Sequence, residues 1–115
     1  MTQYFYLASD QVLSPGNGSL EITEAPPEMI QGFRFPVQRE VYNGITKPWQ
    51  LREMYQYIMN HLNRYEKCTV QVAHLLNSNK VDMQIHKETL LTVAEFNHPQ
   101  PLLLAEGESV TIRKG

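Results

Sequence analysis

The chain has 115 residues, 42% of them hydrophobic, and a formal net charge of -2 from 10 Lys and Arg against 12 Asp and Glu. That size suits one domain over residues 1–115, able to bury roughly two-thirds of its unfolded surface without disulfides or metals. The two signs are spread along the chain, which argues against the uncompensated positive surface of a nucleic-acid binder, and a single cysteine, Cys68, excludes an internal disulfide and a sulfur-ligated zinc cage.

The N-terminal stretch Met1–Asp10 has no basic n-region, and Asp10 interrupts it before a signal-peptide core can form. No window approaches the ~20 apolar residues that cross a bilayer. These features, with the lone thiol, predict a cytoplasmic protein without a membrane segment.

Taken in chain order, Tyr4–Ala8 reads as a strand. The stretch Ser14-Pro-Gly-Asn-Gly-Ser19 is a turn, followed by a short apolar piece from Leu20 to Thr23 and by Pro26-Pro27. Such punctuation belongs to strands joined by loops, because glycine supplies positive φ and proline cannot donate to a ladder. In Phe33–Val37 the apolar residues alternate, which predicts an extended segment that Pro36 confines to an edge or a strand end. Val41-Tyr42 continues it before Asn43-Gly44 turns the chain.

From Pro48 to about Tyr65, Leu51, Met54, Tyr55, Ile58, Leu62 and Tyr65 recur at spacings of three and four, with Arg52, Glu53, Gln56 and Asn60 opposite them. This is an amphipathic helix with Pro48 in its first turn and Thr46 or Lys47 as cap. Trp49 lies off the stripe, either stapling the helix start to a sheet or exposed as a binding aromatic.

Cys68–Leu76 and Val81–His86, joined through Asn77-Ser-Asn-Lys80, read as a hairpin. Its parity places Cys68, Val70, Val72, His74 and Leu76 on the face that receives the helix, and Thr69, Gln71, Ala73 and Leu75 on the other. Glu88–Phe96 suits a short helical turn or a connecting segment. Leu102–Lys114 reads as a terminal hairpin turning at Glu106-Gly107-Glu108. The expected fold is α+β: a mostly antiparallel sheet of about five or six short strands with one main amphipathic helix on one face. Strand order is not legible.

Motifs with chemistry are scarce. The glycine-rich stretch 14–19 lacks both a Gly-Lys-Ser/Thr ending and a G-x-G-x-x-G, so it is not a phosphate loop. Cys68 and His74 share a strand face but stand roughly 20 Å apart, too far for a nucleophile and its base. A Cys68–His61 contact stays open, although a buried, apolar Cys68 is favoured. His74 and His86 fall on opposite faces, and Asp82 and His86 lie about 13 Å apart, so no metal site is expected. The pairs Glu21/Glu24 and Glu106/Glu108 are assigned no role. No cofactor is expected and no catalytic residue is identified.

The ends of the chain, Tyr4-Phe-Tyr-Leu-Ala-Ser9 and Leu102-Leu-Leu-Ala-Glu-Gly-Glu-Ser-Val-Thr-Ile-Arg113, enclosing a Pro/Gly loop and one amphipathic helix, resemble short uncharacterised proteins of Gram-positive bacteria. The resemblance implies a small cytoplasmic bacterial protein and carries over no catalytic residue. Two functions fit the inventory. One is a non-enzymatic interaction or accessory module that pairs with itself or another protein through a strand edge or an aromatic face, with Trp49, Phe33 and Phe35 as candidate surface. The other is a small-ligand binder or enzyme with a pocket near the helix and the His74 strand, where His74, Tyr55 and Cys68 are the candidate ligand contacts.

Overall fold

In the computed structural model, which describes residues 2–15, 20, 22–24, 32–42, 45, 47–77 and 85–115, the aromatic run near the N-terminus becomes a central strand, β1 (Thr2–Ser9). After it come β2 (Thr23–Glu24), β3 (Val37–Tyr42), the helix α1 (Pro48–Asn63), β4 (Cys68–Asn77), β5 (Lys87–Thr92), a short 3-10 turn (Gln100–Leu102) and β6 (Glu108–Lys114). The strands form one six-stranded sheet in the order β2-β3-β1-β4-β6-β5. Every pairing is antiparallel except β5 with β6, which is parallel. The α+β class, the mostly antiparallel sheet and the single main helix match the sequence reading.

Helix α1 forms where the stripe predicts it. Pro48 occupies the first turn at no cost, since its missing N–H would have had no intrahelical partner. Lys47 is the cap residue, and its backbone N–H donates to Gln50 Oε1 at 2.9 Å. Leu51, Met54, Ile58 and Leu62 are buried against Phe5 and Leu7 of β1, Val70 and Val72 of β4, and Val110 and Ile112 of β6. Each such side chain contributes about 1.5–3 kcal/mol by leaving water. The helix ends at Asn63, and Lys114 Nζ donates to the Leu62 carbonyl at 3.0 Å, tying its last turn to β6.

Three expectations are corrected. Along Cys68–His74 the expected hairpin with 81–86 is replaced, because this part of β4 is flanked by β1 and β6: His74 stands between Phe5 and Glu108. Val81–Gln84 lies outside the described residues, as do the loop residues 16–19 and the prolines Pro26 and Pro27. Residues 87–92 are a strand and not a helical turn; β6 supplies a ladder that local periodicity cannot reveal. Leu102–Ala105 does not pair with β6 as a terminal hairpin, although the chain does turn at Glu106-Gly107.

The second sheet face is also covered. Tyr6, Ala8, Phe33, Val37, Ala73 and Leu75 form a separate buried cluster beneath the segment before β3. Gln71, on the same face and 1% exposed, holds that segment: its Oε1 accepts the Arg34 N–H at 2.8 Å and the Phe35 N–H at 3.3 Å, and its Nε2 donates to Thr111 Oγ1 at 3.4 Å. The face that alternation leaves to solvent is therefore a second core.

Candidate functional site

The residues expected to contact a ligand do not converge. His74 is half-buried on β4, its ring stacked on Phe5 at a centroid distance of 4.8 Å, and its Nδ1–H donates to the Leu104 carbonyl at 2.8 Å. Tyr55 faces elsewhere, donating from its hydroxyl to the Phe96 carbonyl at 3.3 Å, with the two rings 4.9 Å apart. Cys68 is buried at the far end of β4, two inward positions (Val70 and Val72) away from His74. Each has a structural partner of its own.

Cys68 instead belongs to a closed polar cluster where β1, α1 and β4 meet. Ser9 Oγ lies 3.1 Å from His61 Nε2, 3.7 Å from Cys68 Sγ and 3.4 Å from Asp10 Oδ1, and it accepts the Gln11 N–H at 3.1 Å. Asp10 Oδ1 in turn accepts the Thr69 N–H at 2.9 Å. His61 falls on the buried side of the helix because it stands three residues after Ile58 and seven after Met54, and its Nδ1 has no hydrogen-bond partner among the described residues. Burial, then the Arg64 charge, push its pKa below the usual imidazole value, against the opposing pull of Asp10. Burial pushes the Cys68 thiol up, against the hydrogen bond from Ser9.

A protonated thiol is a poor nucleophile and a poor metal ligand. Ser9, His61 and Cys68 are 4%, 1% and 1% exposed, so the cluster is closed to solvent. The cluster joins three elements through hydrogen bonds. Among the described residues no group of three or more His, Cys, Asp or Glu side chains is placed to hold a metal ion. Sequence spacing left the Cys68–His61 neighbourhood open but gave no signal for Ser9, which links the two.

The expected interaction surface is largely internal. Phe33 is buried and Phe35 half-buried, both in the second cluster, so Phe33 has no face to present; Trp49 is 37% exposed at the helix start. A different surface stands open at β5. Among the described residues this strand ends the sheet, and five of its six residues are exposed, Leu90 by 55%. Side-by-side register places Thr89 and Leu91 with Val110 and Ile112 on the helix side, and Glu88, Leu90 and Thr92 with Ser109, Thr111 and Arg113 on the other.

The backbone of β5 is oriented as well. Val93 N–H donates inward to the Arg113 carbonyl at 2.9 Å, so by alternation the backbone groups of Leu91 and Thr89 also face β6 while those of Glu88, Leu90 and Thr92 face outward. The outward Thr92 N–H is taken at 3.0 Å by Glu95 Oε1, which also accepts from Thr92 Oγ1 at 3.1 Å. Those bonds hold the Glu95 carboxyl below its ordinary pKa. At the other end, Lys87 Nζ pairs with Glu108 at 3.5 Å. A cleft of about 490 Å3 adjoins the strand, lined by Leu90, Leu91, Val93, Glu95 and Arg113 among others. The edge is not legible in the sequence, where Glu88–Phe96 suits a short helical turn or a connecting segment equally.

The fold and its surfaces thus define an α+β protein with one mixed sheet, two covered faces and an open edge. No family model matches the chain, and no solved structure matches it. Polyamine aminopropyltransferase 1 of Hyperthermus butylicus is 34% identical to it over 86 residues, which make up 72% of this chain and 27% of that protein. The chain therefore spans a minor part of the curated relative it matches. Among the described residues no helix is long and apolar enough to cross a membrane.

Proposed function

We propose that this chain is a protein-interaction module that associates with a second copy of itself through the outer edge of β5. One observation carries the reading: a strand that exposes Leu90 and aims backbone groups of Glu88 and Leu90, without a strand partner among the described residues, away from the sheet. Such an edge is a template for another strand, with main-chain hydrogen bonds giving affinity and alternate side chains giving specificity. Natural proteins blunt edges with charge, and here Lys87 is engaged by Glu108, which leaves the middle of the strand accessible. The balanced charge of the chain supports a protein partner over a nucleic acid.

Light scattering coupled to size-exclusion chromatography tests the proposal. The expected result is a dimer at micromolar concentration that becomes a monomer in Leu90→Pro, which removes an outward N–H and spares the β5–β6 ladder. A mass that stays monomeric at every concentration overturns the reading.

The partial match to an aminopropyltransferase favours a second reading, a binder of small polyamines near the helix and the His74 strand. It ranks below the first because His74, Tyr55 and Cys68 are each engaged separately. Calorimetric titration with spermidine checks it: no heat of binding is expected, and saturable heat lost on His74→Ala would favour the ligand reading instead.

A further inference from the structure

Resting on that reading, we infer that the two β5 strands run antiparallel about a two-fold axis through Leu90, with Glu88 of each copy reaching Arg113 of the other. A two-fold axis normal to the sheet pairs residues of like parity and keeps the same faces together, because opposed residues in an antiparallel pair share a face. Three placements of the axis are then available within the strand. They differ in what they set opposite Leu90.

With Thr89 on the axis, Leu90 lies against the Glu88 carboxylate of the second copy, which loses water without gaining a partner. With Leu91 on the axis, Glu88 falls opposite Ala94, beyond the end of β5, and its N–H loses a strand partner. With Leu90 on the axis, the two Leu90 residues exchange N–H and carbonyl, and their exposed side chains cover each other. Each Glu88 N–H then meets a Thr92 carbonyl, an acceptor that needs nothing from the capped Thr92 N–H. This placement uses both free outward donors, those of Glu88 and Leu90, and unlike the Thr89 axis it sets no carboxylate against Leu90.

Charge selects the same register. Thr92 stands beside Arg113 in the β5–β6 ladder, and both belong to the sheet face away from α1, as does Glu88. Setting Glu88 opposite Thr92 puts its carboxylate two strand positions from Arg113, about 9.6 Å between backbones. Two long side chains reaching toward each other over Thr92 span that gap. Arg113 has no carboxylate partner among the described residues, and the one ion pair among them joins Lys87 to Glu108. Symmetry makes the contact twice, once on each side of the Leu90 pair. An interface confined to one strand and its flanks is small, which places the association in the weak, reversible class.

Sedimentation equilibrium on the full chain, with Glu88→Arg, Arg113→Glu and the double variant, tests the arrangement. Glu88 and Arg113 are both exposed, so the variants retain the fold, which thermal melting verifies. Each single reversal sets like charges together twice and weakens dimerisation by about tenfold or more, while the double variant restores it. Equal dissociation constants for all four proteins, or single losses that the double variant does not recover, overturn the Leu90 axis. In either case, a monomeric Leu90→Pro would still leave the edge reading standing. A wild-type chain that never dimerises sinks both.

Discussion

His61 holds a buried imidazole at the joint of three elements, and its protonation is opposed by burial and by Arg64. A histidine whose folded pKa lies below its unfolded value of about 6.5 binds protons more readily when unfolded. The stability it supports is therefore fully present above about pH 6.5 and is lost as pH falls from there through the depressed folded value, by at most about 1.4 kcal/mol per pH unit. Comparing melting temperatures at neutral pH and near pH 5.5 should give a smaller drop for His61→Phe than for the wild type. Equal drops would show that other groups carry the acid sensitivity. Gln71 is the counterpart on the other face. Gln71→Leu leaves the Arg34 and Phe35 N–H groups without their acceptor, so chemical denaturation should report a loss of about 2 kcal/mol. Neither role was legible in the sequence. His61 is polar on an apolar stripe, and Gln71 occupies a position that alternation assigns to solvent.

At the scale of elements, α1 and the helix-facing residues of β4 were legible because both depend on periodicity, 3.6 for Leu51, Met54 and Ile58 and 2 for Cys68, Val70 and Val72. What failed was pairing. The stretch Cys68–Leu76 reads as half of a local hairpin, yet β1, distant in sequence, takes one of its edges and β6 the other as far as His74. The β5 segment misleads for a related reason: Thr92 and Glu95 form a local hydrogen-bonded turn that resembles a helix start, while the preceding residues are extended by β6. The open edge was thus invisible although every residue on it was in view. The turn into β6 was legible through Gly107, which sits at φ +84° with its N–H donated to the His74 carbonyl at 2.7 Å. An added Cβ there would overlap the His86 ring. Gly107→Ala should therefore lower the urea midpoint, costing about 1–2 kcal/mol from the left-handed backbone and more from the displaced imidazole, with an unchanged slope. A midpoint equal to the wild type would mean that the turn relaxes freely.

Across the whole molecule, the C-terminal strand has a larger part than its position in the chain suggests. Strand β6 lies between β4 and β5, so β5 belongs to the sheet through β6 alone. Val110, Thr111 and Ile112 are fully buried, and Val110 and Ile112 contribute about 1.5–3 kcal/mol each before any ladder bond is counted. Domains of this size are stable by only 5–15 kcal/mol, roughly, and loss of β6 also uncovers Val70 and Val72 and leaves one edge of β4 unpaired. A chain ending at Gly107 should therefore lose its cooperative thermal transition, whereas one ending at Arg113 should keep it at a lower temperature, having lost the Lys114 contact with the helix end. Far-UV circular dichroism melts of the two truncations separate these outcomes. If the chain ending at Gly107 still melts cooperatively, β1, β3, β4 and α1 form a self-sufficient unit, and β5 with β6 is an appendage carrying the association edge. If it does not, the edge and the core are one cooperative structure, and pairing at β5 should stabilise the entire fold by an amount that grows with the logarithm of protein concentration.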